Sequence, residues 1–247
     1  MNIYDTILNR KRDGRKQFAV LIDPDKREEE DIIGICREAE KADVDYVFIG
    51  GSLLTNGNLH RCVKVVKATC KLPAILFPGS NLQIDASADA ILFLSLISGR
   101  NPDLLIGQHV IAAPLIREKN IEAIPTGYML IESGAMTTVV YMSNTLPIPH
   151  TKNDIAACTA MAGEMLGLKM VFMDAGSGAM KPVDTSMINS VAEKISVPLI
   201  VGGGIRTAEQ AAACCRSGAD IIVVGNSIEK DPSLLRNLAG AVKSVTV

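Results

Sequence analysis

Eight apolar runs punctuate the chain, and nearly all are separated by stretches of helical periodicity. The runs are Phe18 to Asp23, Tyr46 to Gly51, Pro73 to Gly79, Ala90 to Ser95, Glu122 to Ile131, Leu168 to Asp174, Val197 to Val201 and Asp220 to Val224. They are continuous rather than alternating, which marks strands covered on both faces, as in a parallel sheet. Amphipathic helices are predicted over Met1 to Lys16, Lys26 to Lys41, Leu59 to Lys71, Pro102 to Glu118, Lys152 to Leu166, Asp184 to Lys194, Thr207 to Ser217 and Leu234 to Val245. Eight strands alternating with helices predict one α/β domain over residues 1–247, a closed (β/α)8 TIM barrel. An open doubly wound sheet is the rival. It would carry its phosphate glycines after the first strand, where this chain has Asp23-Pro24-Asp25-Lys26; here the glycines cluster late.

One unit is irregular. Only ten residues lie between Gly79 and Ala90, whereas a crossover helix with its loops needs at least about 10–12. The third helix is therefore expected to be missing or replaced by an extended segment. That would leave an opening in the ring of helices, wide enough for something long.

Composition narrows the function. Apolar residues make up 48% of the chain and charged residues 21%, with a formal net charge of -2. A large core is affordable, and no basic tract points to nucleic acid. No run reaches the roughly 18 apolar residues of a membrane span, and the first fifteen residues are charged throughout, unlike a secretory signal. A cytoplasmic protein without a transmembrane segment is expected. Cys36, Cys62, Cys70, Cys158, Cys214 and Cys215 form no C-x-x-C pair and read as small buried residues in a reducing compartment. His60, His109 and His150 show no ligand spacing, so the expected chemistry rests on carboxylates and backbone.

Active sites of such barrels lie at the carboxyl ends of the strands, with phosphate after the seventh and eighth. Gly202-Gly203-Gly204 and Gly225-Asn226-Ser227 stand there. Glycines let backbone N–H groups approach an anion closely. Ser177, in the stretch Phe172-Met173-Asp174-Ala175-Gly176-Ser177-Gly178, would add a hydroxyl. Asp174 ends the sixth strand and is the candidate base. Asp23 ends the first strand and is assigned to Mg²⁺, an oxygen-ligated cation that bridges to phosphates; a helix cap is the plain alternative. Ser52, after the second strand, is a second oxygen ligand or a turn residue. Lys26 and Arg206 read equally as phosphate contacts or surface pairs.

These residues form a recognisable pattern. Leu21-Ile-Asp-Pro-Asp-Lys26, Ile49-Gly-Gly-Ser52, Ile124-Pro-Thr-Gly-Tyr128, Asp174-Ala-Gly-Ser-Gly-Ala179, Val201-Gly-Gly-Gly-Ile-Arg206 and Val224-Gly-Asn226 occur in order over nearly the whole chain. In this the sequence resembles the geranylgeranylglyceryl phosphate synthase family of prenyltransferases. The resemblance implies a barrel lacking its third helix and a Mg²⁺-dependent transfer from a polyprenyl diphosphate to sn-glycerol 1-phosphate. It implies Asp23 and Ser52 as metal ligands. It implies a glycerol phosphate site made of Phe172, Met173, Asp174, Ala175, Gly176, Ser177, Gly178, Gly203, Gly204, Gly225 and Asn226.

The sequence departs from the family where Tyr-Leu-Glu is usual and Phe172-Met173-Asp174 stands instead. The expected consequence is loss of the phenol and a carboxylate set one methylene further back. Geranylgeranyl diphosphate is the expected donor, with a longer heptaprenyl chain as the alternative. An FMN-dependent barrel oxidoreductase and a non-catalytic phosphate-metabolite binder are the rival functions. Leu92, Phe93 and Leu94 lie near the predicted opening and serve a prenyl groove or the barrel core equally well. The resemblance further implies a homo-oligomer, dimer or hexamer, with Tyr141, Leu146 and Ile148 in an apolar segment that either meets a neighbour or folds as a buried loop. Transient contact with a membrane surface on product release is compatible with these features.

Overall fold

The computed structural model describes residues 2–245. Its eight parallel strands close into a barrel in sequence order: β1 (Gln17–Ile22), β2 (Tyr46–Ile49), β3 (Ala74–Leu76), β4 (Ala90–Leu96), β5 (Glu122–Leu130), β6 (Met170–Asp174), β7 (Leu199–Gly202) and β8 (Ile221–Val224). β8 pairs back onto β1 at Gln17–Ile221 through Val20–Val224.

Strand periodicity divides the core in two. Ala19, Tyr46, Phe48, Leu92, Tyr128, Phe172 and Val223 fill the barrel interior. Their neighbours Val20, Val47, Ile91, Met129, Val171, Met173 and Val224 face the helices. This alternation within continuously apolar runs is what two covered faces require. Each large interior side chain contributes on the order of 1.5–3 kcal/mol of burial.

The helices follow the sequence expectation closely. α1 (Ile3–Arg12) closes the amino-terminal end of the barrel. Ile7 is buried in the interior cluster, and Glu122 at the start of β5 accepts the N–H groups of Ile3 and Tyr4. α2 (Glu29–Lys41) and α3 (Leu59–Thr69) cover β1 and β2. A π-helical turn (Asp103–Gly107) runs into α4 (Gln108–Glu118). A short α5 (Thr138–Ser143), which periodicity did not reveal, precedes α6 (Asn153–Met165). α7 (Thr185–Ala192), α8 (Ala208–Arg216), α9 (Asn226–Lys230) and α10 (Leu234–Lys243) complete the ring. α8 begins with a capping box between Thr207 and Gln210, the arrangement that satisfies its first free N–H groups.

Between β3 and β4 there is no helix, as the ten-residue spacing predicts. An extended strap, residues 77–89, replaces it. Gln83 is buried and holds the strap twice, accepting the Gly79 N–H at 3.0 Å and donating to the Gly51 carbonyl at 3.0 Å. Asp85 fastens it to α3 through His60 Nδ1 at 2.6 Å. The side of the barrel opens above this strap.

Candidate active site

A cavity of about 1120 Å³ occupies the carboxyl end of the barrel and extends sideways past the strap. Its lining joins the ends of β1, β2, β6, β7 and β8 to Leu82 and Ile84 of the strap and Ala112 and Ile116 of α4. One part is polar and glycine-rich; the other is an apolar channel.

At the polar end lies Asp174, the last residue of β6. It is 8% exposed. Its Oδ1 accepts the Gly176 N–H at 2.7 Å, and its Oδ2 accepts the Tyr128 hydroxyl at 2.5 Å. Burial pushes its pKa up, against the lowering effect of the Tyr128 and Gly176 hydrogen bonds. The carboxylate is therefore fixed at both oxygens and more basic than a surface aspartate. Desolvation and the adjacent carboxylate hold the Tyr128 phenol well above its ordinary range, so it stays a donor.

Residue 172 offers no phenol, as expected, but Tyr128 on the adjacent strand brings one to Asp174. β5 and β6 pair in register at Tyr128–Phe172, so the two side chains stand at one height inside the barrel. Tyr128 reaches Asp174 with its hydroxyl from the neighbouring strand. Phe172 itself is buried, its ring centroid 5.1 Å from Phe77 in a stacked pair and 5.5 Å from Tyr128 edge-on. It acts as the packing floor that holds Tyr128 against Asp174.

The three glycine-bearing loops converge on the same cavity. Gly176, Ser177, Gly178, Gly203, Gly204, Gly225 and Asn226 all line it. The Ser177 hydroxyl and the Asn226 side chain hydrogen-bond at 3.0–3.2 Å, tying the β6 loop to the β8 loop. Gly203 is required as glycine: its φ is +79°, and a Cβ there would lie 2.6 Å from Asp174 Oδ1. Met173 and Ala175 belong to the cluster facing the helices and present no side chain to the cavity. Arg206 donates to the Ala179 carbonyl at 2.8 Å, pinning the β6 loop.

Across the mouth, Asp23 and Ser52 also line the cavity. Gly51 approaches so closely that a Cβ on it would sit 3.2 Å from both Asp23 oxygens. Lys26 Nζ stands 2.7 Å from Asp23 Oδ2, so the position already attracts a cation. Among the described residues no group of three or more His, Cys, Asp or Glu side chains is arranged to hold a metal. One carboxylate with one hydroxyl, open to the cavity, fits Mg²⁺, which keeps water and substrate oxygens in its shell. Asp25 turns elsewhere: its carboxylate takes the N–H groups of Thr55 and Asn56 and the Thr55 hydroxyl, fixing the loop after β2.

The apolar channel contains Leu92, Phe93 and Leu94 of β4 in its lining. His109 of α4 is buried beside it, with its ring edge-on to Phe93 at 4.5 Å. Ile148 is buried and bridges to Ile131, whereas Tyr141 and Leu146 are exposed. No helix among the described residues is long and apolar enough to cross a membrane.

Comparison with known proteins agrees with this geometry. A geranylgeranylglyceryl phosphate synthase from Chitinophaga pinensis is 58% identical over 240 residues, 97% of this chain and 95% of that one. The protein of that name from Thermococcus kodakarensis is 43% identical over 231 residues, 93% and 91% of the two chains. The crystal structure of (S)-3-O-geranylgeranylglyceryl phosphate synthase from Thermoplasma acidophilum, in complex with its substrate sn-glycerol-1-phosphate, superposes with a TM-score of 0.94 at 33% identity, covering 99% of this chain and all of that one. The sequence pattern of the PcrB family matches residues 10–243, and this chain belongs to that family.

Proposed function

We propose that this protein transfers the geranylgeranyl group from its diphosphate to the 3-hydroxyl of sn-glycerol 1-phosphate, forming an ether and releasing diphosphate. The observation that carries this reading is the buried Asp174 carboxylate. It is oriented at both oxygens, beside three glycine loops, at the head of an apolar channel. The likeness to the T. acidophilum complex with glycerol phosphate supports it.

The phosphate of the acceptor sits on the backbone N–H groups of Gly203, Gly204, Gly225 and Asn226, with the Ser177 hydroxyl beside them. That placement brings the 3-hydroxyl of the glycerol to Asp174. The carboxylate takes its proton as the oxygen attacks the allylic carbon. Tyr128 holds Asp174 in line, and its hydrogen bond favours the ionised form against the opposing effect of burial. The apolar channel along α4 keeps the hydrocarbon away from water. Asp23 and Ser52 would hold Mg²⁺, whose chemistry is to neutralise the diphosphate leaving group.

The test is product formation, read by mass spectrometry, from sn-glycerol 1-phosphate and its mirror isomer with diphosphates of increasing prenyl length. Ether product with the 1-phosphate and the geranylgeranyl donor is expected. A heptaprenyl preference would revise the donor. Absence of product with every donor would overturn the reaction. Asp23→Ala should abolish the Mg²⁺ dependence of donor binding; unchanged titration would remove Asp23 from that role.

Self-association belongs to the same proposal. Ile106, Val110, Ile111 and Leu115 along the π-turn and α4 are exposed, as are Ile155 and Met165 on α6. An apolar face of this kind supports a homo-oligomer, which light scattering would size. A cytoplasmic location is part of the proposal as well, and fractionation of cells would test it.

A further inference from the structure

The Asp23–Lys26 pair has a meaning beyond a surface salt bridge. The turn Asp23-Pro24-Asp25-Lys26 is tight: the Lys26 N–H donates to the Asp23 carbonyl and the Asp25 N–H to Asp23 Oδ1, each at 3.2 Å. The turn folds the lysine back over the carboxylate three residues earlier, at 2.7 Å. The Asp23 side chain is 14% exposed and the Lys26 side chain 50%. The carboxylate is therefore fixed, while the ammonium sits on a long stem at the cavity wall and swings at little cost. Lys26 and Arg206 are the only lysine or arginine residues lining the cavity among the described residues, and Arg206 is engaged by Ala179.

We propose that Lys26 is a diphosphate-binding residue held in reserve: it neutralises Asp23 in the ligand-free chain and is released onto the prenyl diphosphate when a divalent cation takes its place. This rests on the prenyl-transfer reading. A divalent cation and an ammonium on one carboxylate repel each other strongly at contact distance. The divalent ion displaces the ammonium, and the nearest uncompensated anion is then the incoming diphosphate. That anion carries more negative charge than one divalent cation cancels, since Asp23 already uses part of it. A second positive charge on the same wall completes the neutralisation. The exchange also orders the events: without the cation, Lys26 is committed to Asp23 and the diphosphate finds a weaker site.

The test uses the full chain and two variants, K26M and K26R, each checked for native circular dichroism. Two probes are titrated: Mn²⁺ alone, followed by electron paramagnetic resonance, and inorganic diphosphate with saturating Mg²⁺, followed by calorimetry. K26M should bind Mn²⁺ alone several-fold more tightly than wild type, because the internal competitor is gone. The same variant should bind diphosphate about tenfold to a hundredfold more weakly, the loss of one charge-assisted hydrogen bond. K26R should recover most of the diphosphate affinity. Unchanged or weaker Mn²⁺ binding by K26M would overturn the competition, and unchanged diphosphate binding would overturn the release. Failure of the wild type itself to bind diphosphate with Mg²⁺ would instead sink the prenyl-transfer reading on which the proposal stands.

Discussion

The Tyr128 hydroxyl is the group whose removal says most about the site. Tyr128→Phe deletes one oxygen and leaves the ring packed on Phe172 and Phe77. It removes a hydrogen bond that holds the Asp174 carboxyl down against the upward push of burial. A donor to a buried carboxylate contributes about 1.5–3 kcal/mol. Losing that bond should raise the Asp174 pKa further, since burial then acts with less to oppose it. The base must be ionised to accept a proton, so the acidic limb of kcat/KM against pH should move to higher pH. Well above both limbs the two enzymes should converge; just below the new limb the variant should be roughly tenfold or more slower. The assay is a pH profile of both proteins, with Asp174→Asn as the background in which Tyr128→Phe shifts no limb. A limb that stays in place, or moves to lower pH, would refute the coupling of phenol and carboxylate.

Asp174→Asn should lower turnover by about 10²-fold or more while leaving the fold at least as stable as wild type at neutral pH. The sign follows from the raised pKa: stability from this carboxyl is complete below the ordinary carboxylate range and lost as pH rises through the raised value. Thermal unfolding across pH would show the wild type losing ground where the variant does not, and a stability gap independent of pH would contradict it. Gly203→Ala should cost about 1–3 kcal/mol from its positive φ. It should also displace Asp174, since the new methyl meets Oδ1 and the N–H groups of Ala175 and Gly176. Calorimetry with glycerol 1-phosphate should then show binding lost, and retained affinity would mean that the loop relaxes. Gln83→Ala leaves the Gly79 N–H and the Gly51 carbonyl without this partner, a loss of about 2–4 kcal/mol by urea unfolding. It should raise KM for the prenyl donor more than for glycerol phosphate; equal effects on both would detach the strap from the channel.

The barrel was legible because eight buried strands leave a strong mark, and because a ten-residue gap has no room for a covering helix. The carboxylates at strand ends and the late glycines were legible too, since topology brings all strand ends to one face. Tyr128 was quoted only as part of a matching stretch and given no role. Nothing along a single strand says that its side chain will serve the next one. The signal lay in register: residues 128 and 172 pair across β5 and β6, and register is a property of two strands at once. Met173 and Ala175 show the converse. Met173 lies within β6 and Ala175 directly after it, and the alternation of the strand turns both side chains toward the helices. The burial of His109 was not legible, because its helix carries apolar residues on both faces, some buried and some exposed, so no polar stripe marks the outside.

The seam between β3 and β4 is the thinnest in the barrel wall. β3 contributes three residues and meets β4 at two register positions, where β4 and β5 meet at seven. No helix bolts that seam from outside. Local opening costs least where few hydrogen bonds and few packed side chains must yield together. On the proposed prenyl-transfer reading, the hydrocarbon would be bedded into the wall from the side instead of being drawn lengthwise through a closed ring. On the same reading the finished lipid would leave by that side.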